Sequence, residues 1–136
     1  MPKQLGKIGK NSFENTKIRN IKFPPSLSAI DSFAFYKCTY LTYISLPPQL
    51  STIKYNAFDN CNKLSLINNQ SQLNVQIGTE HNGKVAFYAK NIITSDETQF
   101  KEIGDYLFKI NEDSTEINLI RYIGNDSIIN LPQSVF

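Results

Sequence analysis

The sequence predicts a solenoid of short stacked coils, and two observations carry that prediction. The stretch LSAIDSFAFYKCTYLTYISLPPQ (27–49) is followed at once by LSTIKYNAFDNCNKLSLINNQS (50–71). Leu27, Ile30, Phe35, Cys38, Leu41 and Ile44 of the first fall on Leu50, Ile53, Phe58, Cys61, Leu64 and Ile67 of the second, a constant shift of 23 residues. A third copy precedes both: in LGKIGKNSFENTKIRNIKFPPS (5–26), Leu5, Ile8, Phe13, Ile18, Ile21 and Phe23 keep the pattern after one deletion between Phe13 and Ile18. Three consecutive copies at a fixed period are the signature of a repeat architecture, in which each coil is too small to bury its own apolar face and neighbours bury one another.

Each element follows from the repeat. Apolar residues in LTYISL, ended by Pro47-Pro48, predict a strand over 41–46 with Leu41, Ile44 and Leu46 pointing inward; its equivalents are 18–23 and 64–69. Proline has no N–H for the ladder, so the pair stops the strand. Leu50, Ile53 and Phe58 anchor a return path too irregular for a long helix and suited to turns and short helical pieces. Like strands then stack about 4.8 Å apart in a parallel sheet.

After residue 71 the repeat fades. Leu73, Val75 and Ile77, then Val85 and Phe87, alternate on either side of EHNG, which predicts a β-hairpin island over 72–99. Phe100, Ile103 and Phe108 resume the spacing of Leu27, Ile30 and Phe35, and Ile129, Leu131 and Pro132 match Ile44, Leu46 and Pro47. Residues 100–136 therefore read as a degenerate fourth repeat with an inserted hairpin whose polar turn runs from Asn111 to Thr115.

Composition bounds the function. A chain of 136 residues, 40% hydrophobic and 12% aromatic, is long enough for one folded domain, 1–136. The net charge of +2 is weak and the lysines are scattered along the chain, so neither nucleic acid nor insertion into a membrane is expected. No apolar run approaches the ~18 residues of a membrane span, and MPKQLGKIGKNSF lacks the apolar core of a secretory signal.

The residues that invite chemistry have bland explanations. Cys38 and Cys61 share a repeat position, which would set their Cα atoms near disulfide range; two buried thiols donating to backbone carbonyls is the favoured reading. His81 is the one histidine and sits in the EHNG turn, so a metal or catalytic role has no partner set. Glu112, Asp113 and Glu116 in NEDSTE lack calcium-loop spacing, and Gly6 and Gly9 lack the Gly-Lys-Ser/Thr ending of a phosphate loop. No cofactor and no enzymatic activity are expected.

The phrase L-x-x-I-x-x-x-A-F-x-x-C-x-x-L-x-x-I-x-L-P, as it stands in residues 27–64 and beyond, resembles the leucine-rich repeat of the Treponema-type, BspA-like surface proteins. The resemblance implies a leucine-rich repeat solenoid: a right-handed horseshoe of α/β type, mostly β with short helical turns and a concave parallel sheet, here with β-hairpins inserted in the C-terminal half. It implies display on a cell surface or secretion, and adhesion or recognition of a protein such as a host matrix or cell-surface protein. The residues between the inward anchors would face the concave side: Arg19, Asn20 and Lys22; Thr42, Tyr43 and Ser45; Ser65, Leu66 and Asn68. Tyr43 and Leu66 beside Arg19 give the mix favoured at interfaces. The alternative is a structural protein that forms homo-oligomers through its open solenoid ends.

Overall fold

A computed structural model of the protein describes residues 4–94, 100–103, 106–110 and 117–122. The chain divides into two compact units, 1–95 and 96–136, where its length predicted one domain.

The first unit is a β-solenoid of about four turns with almost no helix. Strands β1 (Lys7–Ile8), β3 (Ala29–Ile30) and β5 (Thr52–Ile53) form one parallel sheet in the order β1-β3-β5. Strands β2 (Asn20–Ile21), β4 (Tyr43–Leu46), β6 (Leu66–Asn69) and β7 (Asn91–Ile93) form a second, β2-β4-β6-β7, also parallel. The register is the one the repeat dictates: Ile8, Ile30 and Ile53 lie side by side, as do Ile21, Ile44, Ile67 and Ile92. The shift is 22 residues from Ile8 to Ile30 but 23 from Ile21 to Ile44, which places the deletion inside coil 1 as the sequence indicates. The strands are shorter than 18–23, 41–46 and 64–69, because turn hydrogen bonds such as Leu41 N–H to Cys38 O take over before the ladder begins. Strand β4 ends at Leu46, against Pro47.

The return path replaces the expected helical pieces with tight turns that have a hydrogen-bond ladder of their own. Phe13 N–H donates to Ala34 O (2.8 Å), Phe35 N–H to Ala57 O (2.7 Å) and Phe58 N–H to Gly83 O (2.8 Å). These inter-coil bonds satisfy backbone groups that would otherwise be buried without partners. The turns use left-handed residues, mostly asparagine (Asn11, Asn15, Asn56, Asn60, Asn82), whose short amide side chain tolerates positive φ.

The core is the set of columns named in the repeat. Leu27, Ile30, Phe35, Cys38, Leu41 and Ile44 are fully buried, and their counterparts from Leu50 to Ile67 are at most 8% exposed. Phe13, Phe35 and Phe58 stack face to face, with ring centroids 5.0 and 4.9 Å apart and planes within 8°. Cys38 Sγ–H donates to Phe13 O (3.0 Å) and Cys61 Sγ–H to Phe35 O (3.1 Å); both thiols are free. The neighbouring Cys38 thiol, together with burial, pushes the Cys61 thiol up, so it stays neutral and packs as a small hydrophobe.

Residues 72–93 form a fourth coil and not the hairpin expected over 72–99. No strand occupies Leu73–Ile77 or Val85–Phe87; a tight turn, His81–Lys84, with Asn82, Gly83 and Lys84 at positive φ, stands between them, and β7 then pairs parallel with β6. The alternation misled because Leu73 and Val75 pack on the core edge while Ile77 is exposed, which is not the two-faced pattern of a hairpin. Gly83 explains the departure from the repeat. At φ +62° it lies so close to coil 3 that a Cβ would come within 2.4 Å of Lys54 O and 2.8 Å of Ala57 Cβ. Only glycine reaches the place where its carbonyl can accept from Phe58.

In the second unit, β8 (Phe100–Ile103), β9 (Tyr106–Ile110) and β10 (Ile117–Tyr122) form an antiparallel sheet in the order β10-β9-β8. The hairpin expected around Asn111–Thr115 is present as β9 and β10, although its turn lies outside the described residues. Phe100–Ile103 does not start a coil: it pairs antiparallel with β9, Ile103 opposite Tyr106, so local pairing wins over the coil spacing. The matches at Ile129, Leu131 and Pro132 lie outside the described residues.

Because Phe35 is stacked on both faces, Phe35→Ala should cost about 3–5 kcal/mol in chemical denaturation. Stability equal to the parent's would show that the aromatic column does not fill the core.

Candidate protein-interaction surface

The face of the β2-β4-β6-β7 sheet is where the sequence placed the binding residues, and the structure closes much of it. In register across the sheet lie Asn20, Tyr43, Leu66 and Asn91, then Ser45, Asn68 and Ile93. Tyr43 is only 7% exposed, Ser45 5%, Leu66 4% and Asn68 0%. Ile44 and Ile67 join the core cluster, and the residues beside them are buried as well, so this face is not a solvated surface at its centre. Asn20 and Asn91, on the outer strands β2 and β7 of this sheet, are exposed. Of the nine residues only Asn20 and Lys22 are exposed; Arg19, Thr42 and Ser65 are half-buried. Thr42 Oγ1–H and Thr42 N–H both donate to Arg19 O, a use in the coil stack that spacing could not reveal. Ser45 Oγ has no hydrogen-bond partner among the described residues.

A second surface, which the sequence reading missed, lies on the turns between the sheets. Phe33 takes positive φ (+59°) at the position that Asn11 and Asn56 fill in the adjacent coils. A bulky side chain there is an outlier worth about 1–3 kcal/mol of backbone strain. Its ring meets Tyr36 edge-on at 5.5 Å and Tyr55 edge-on at 5.8 Å. Two such contacts contribute roughly 0.5–1.5 kcal/mol each beyond the burial of this half-buried ring, so they about offset the strain. Tyr55 is 72% exposed, more than any other large apolar side chain described. Lys37 Nζ sits 5.1 Å from the Tyr36 ring centre. The signal was present in the repeat: aligning the coils sets Phe33 in an asparagine column and Tyr36 in a column with Glu14 and Asp59.

Charged side chains clamp the coils beside this cluster. Asp31 of coil 2 pairs with Lys7 of coil 1 (2.8 Å) and Lys54 of coil 3 (3.2 Å). The Lys7 ammonium, the Ser32 N–H and the Lys54 ammonium hold its carboxyl far below the usual carboxylate range. Lys84 of coil 4 pairs with Asp59 of coil 3 at 3.2 Å, and that carboxylate raises the lysine. His81 is exposed while both thiols are buried. Among the described residues no three His, Cys, Asp or Glu side chains stand close enough to hold a metal ion, and no helix is long and apolar enough to cross a membrane.

A stack of near-identical coils with parallel sheets, a phenylalanine column and inter-coil turn bonds defines the chain as a repeat solenoid of the leucine-rich type. The family model of the BspA-type leucine-rich repeat region matches residues 1–92 in six copies, and the protein belongs to that family. Comparison with curated proteins and with solved structures found no match.

Asp31 makes the stack sensitive to acid. Its pKa is depressed on folding, so the unfolded chain binds its proton first; the stabilisation is fully present above the unfolded value near 3.9 and is lost as pH falls toward the folded one. Melting temperatures measured from neutral pH to about pH 2 should fall less steeply for Asp31→Asn than for the parent, the two curves converging in acid. Phe33→Asn should cost only about 1 kcal/mol, the burial of half a ring, because strain and ring contacts leave together.

Proposed function

We propose that this protein is a non-catalytic protein-binding or adhesion module that recognises a protein partner with the outer surface of its coils. The observation that carries the reading is the Phe33, Tyr36 and Tyr55 cluster: large aromatic side chains held in place on a hydrogen-bonded stack, one of them mostly in solvent and one at a positive φ that asparagine takes in the adjacent coils. Rigid aromatic side chains give much contact area for little lost entropy, and they dominate interface energetics. The partly exposed strip of the long sheet, with Asn20, Lys22 and Arg19, would add polar contacts at the rim. A host matrix or cell-surface protein is the partner class this reading favours, and membership of a repeat family supports it.

The test is biolayer interferometry against purified extracellular-matrix proteins. Tyr55→Ala should weaken binding at least about tenfold, the loss of one hot-spot side chain, while stability falls by no more than the roughly 0.5–1.5 kcal/mol of its ring contact with Phe33. Binding that survives Tyr55→Ala and Phe33→Asn together, or is lost only with Tyr43, would move the site to the sheet.

A further inference from the structure

The net charge of +2 conceals a division along the chain. Residues 1–26 hold six basic side chains and one acidic; residues 96–136 hold three basic and eight acidic. The lysines are scattered in spacing, yet most of the positive excess sits in the first coil.

That coil is also the edge of both parallel sheets. Among the described residues β1 pairs only with β3 and β2 only with β4. Leu5, Phe13, Ile18 and Ile21 pack on the core from one side and remain half-buried. Around them Lys10, Lys17 and Lys22 are exposed and make no ion pair among the described residues, in contrast to Lys54 and Lys84, which are matched by Asp31 and Asp59. The result is an apolar strip and unpaired strand edges inside a basic rim, the layout of an interface core and its surround.

We propose that the N-terminal coil is a docking site for a second copy of this chain, engaged by the copy's acidic C-terminal stretch. A polyanion would meet the lysines but leave the strand edges and the apolar strip uncovered. A protein segment with charge opposite to the rim satisfies all three, and the sequence itself supplies one. The contact joins different surfaces of the two copies, so it propagates head to tail. Charge steers the encounter and makes it depend on salt.

The experiment is sedimentation velocity on the full chain over a concentration series. At about 0.01 M salt, where the screening length is roughly 30 Å, the mass should rise with concentration; at about 0.15 M, roughly 8 Å, the association should weaken at least about tenfold. A variant carrying Lys10→Gln, Lys17→Gln and Lys22→Gln, and another carrying Glu112→Gln, Asp113→Asn and Glu116→Gln, should each remain monomeric with the parent's circular dichroism. Mixed one to one they should form a heterodimer that grows no further, because the mixture holds one intact coil and one intact acidic stretch. A parent that is monomeric at both salt concentrations, association unchanged by salt, mixed variants that stay apart, or heparin binding without self-association would each overturn the proposal.

Discussion

Everything in the repeat unit depends on one constraint: a coil of about 23 residues cannot enclose its own core. Each coil offers one side of its Leu, Ile and Phe side chains to the coil before it and the other to the coil after it. The sheets, the turn ladder and the aromatic column are three expressions of that stacking. Identical spacing makes the three compatible, because a phenylalanine in register with the one below also sets Phe35 N–H opposite Ala57 O and Ile44 beside Ile67. The cysteine position obeys the same rule, with each thiol donating to a carbonyl of the previous coil's turn.

Deviations from the repeat become informative against so regular a background. Gly83 stands out because it holds the place in the turn ladder that Ala34 and Ala57 hold in the coils before it, at a positive φ and with no room for a Cβ. Phe33 stands out for the opposite reason: asparagine would meet the left-handed turn at lower cost, as it does at Asn11 and Asn56. Its ring contacts with Tyr36 and Tyr55 are what it gains in exchange for that strain. The charge division is a third deviation, since the repeat fixes apolar positions and leaves the sign of the outward ones free.

The candidate surface was less legible than the fold because its signals are differences and not periodicities. Strand alternation set Tyr43, Ser45, Leu66 and Asn68 apart from the core columns, yet it could not say that those side chains are covered. Burial is a property of what surrounds a residue in space, and period-2 patterning reports only which side of a strand it occupies. The aromatic cluster was missed because Phe33, Tyr36 and Tyr55 come together through two turns on adjacent coils, a proximity that appears only when the coils are stacked.

By itself the sequence determined the repeat length, the core columns, the inter-coil register and the deletion in coil 1, because all of these follow from the positions of apolar residues along a single chain. It also determined the β9–β10 hairpin, through its polar turn. Only the tertiary structure decided that residues 72–93 complete a fourth coil, that Phe100–Ile103 joins an antiparallel sheet, and that the centre of the long sheet's face is covered. In each case a short alternating segment is compatible with more than one partner strand, and the choice is settled by backbone hydrogen bonds to residues distant in sequence, which no local pattern records.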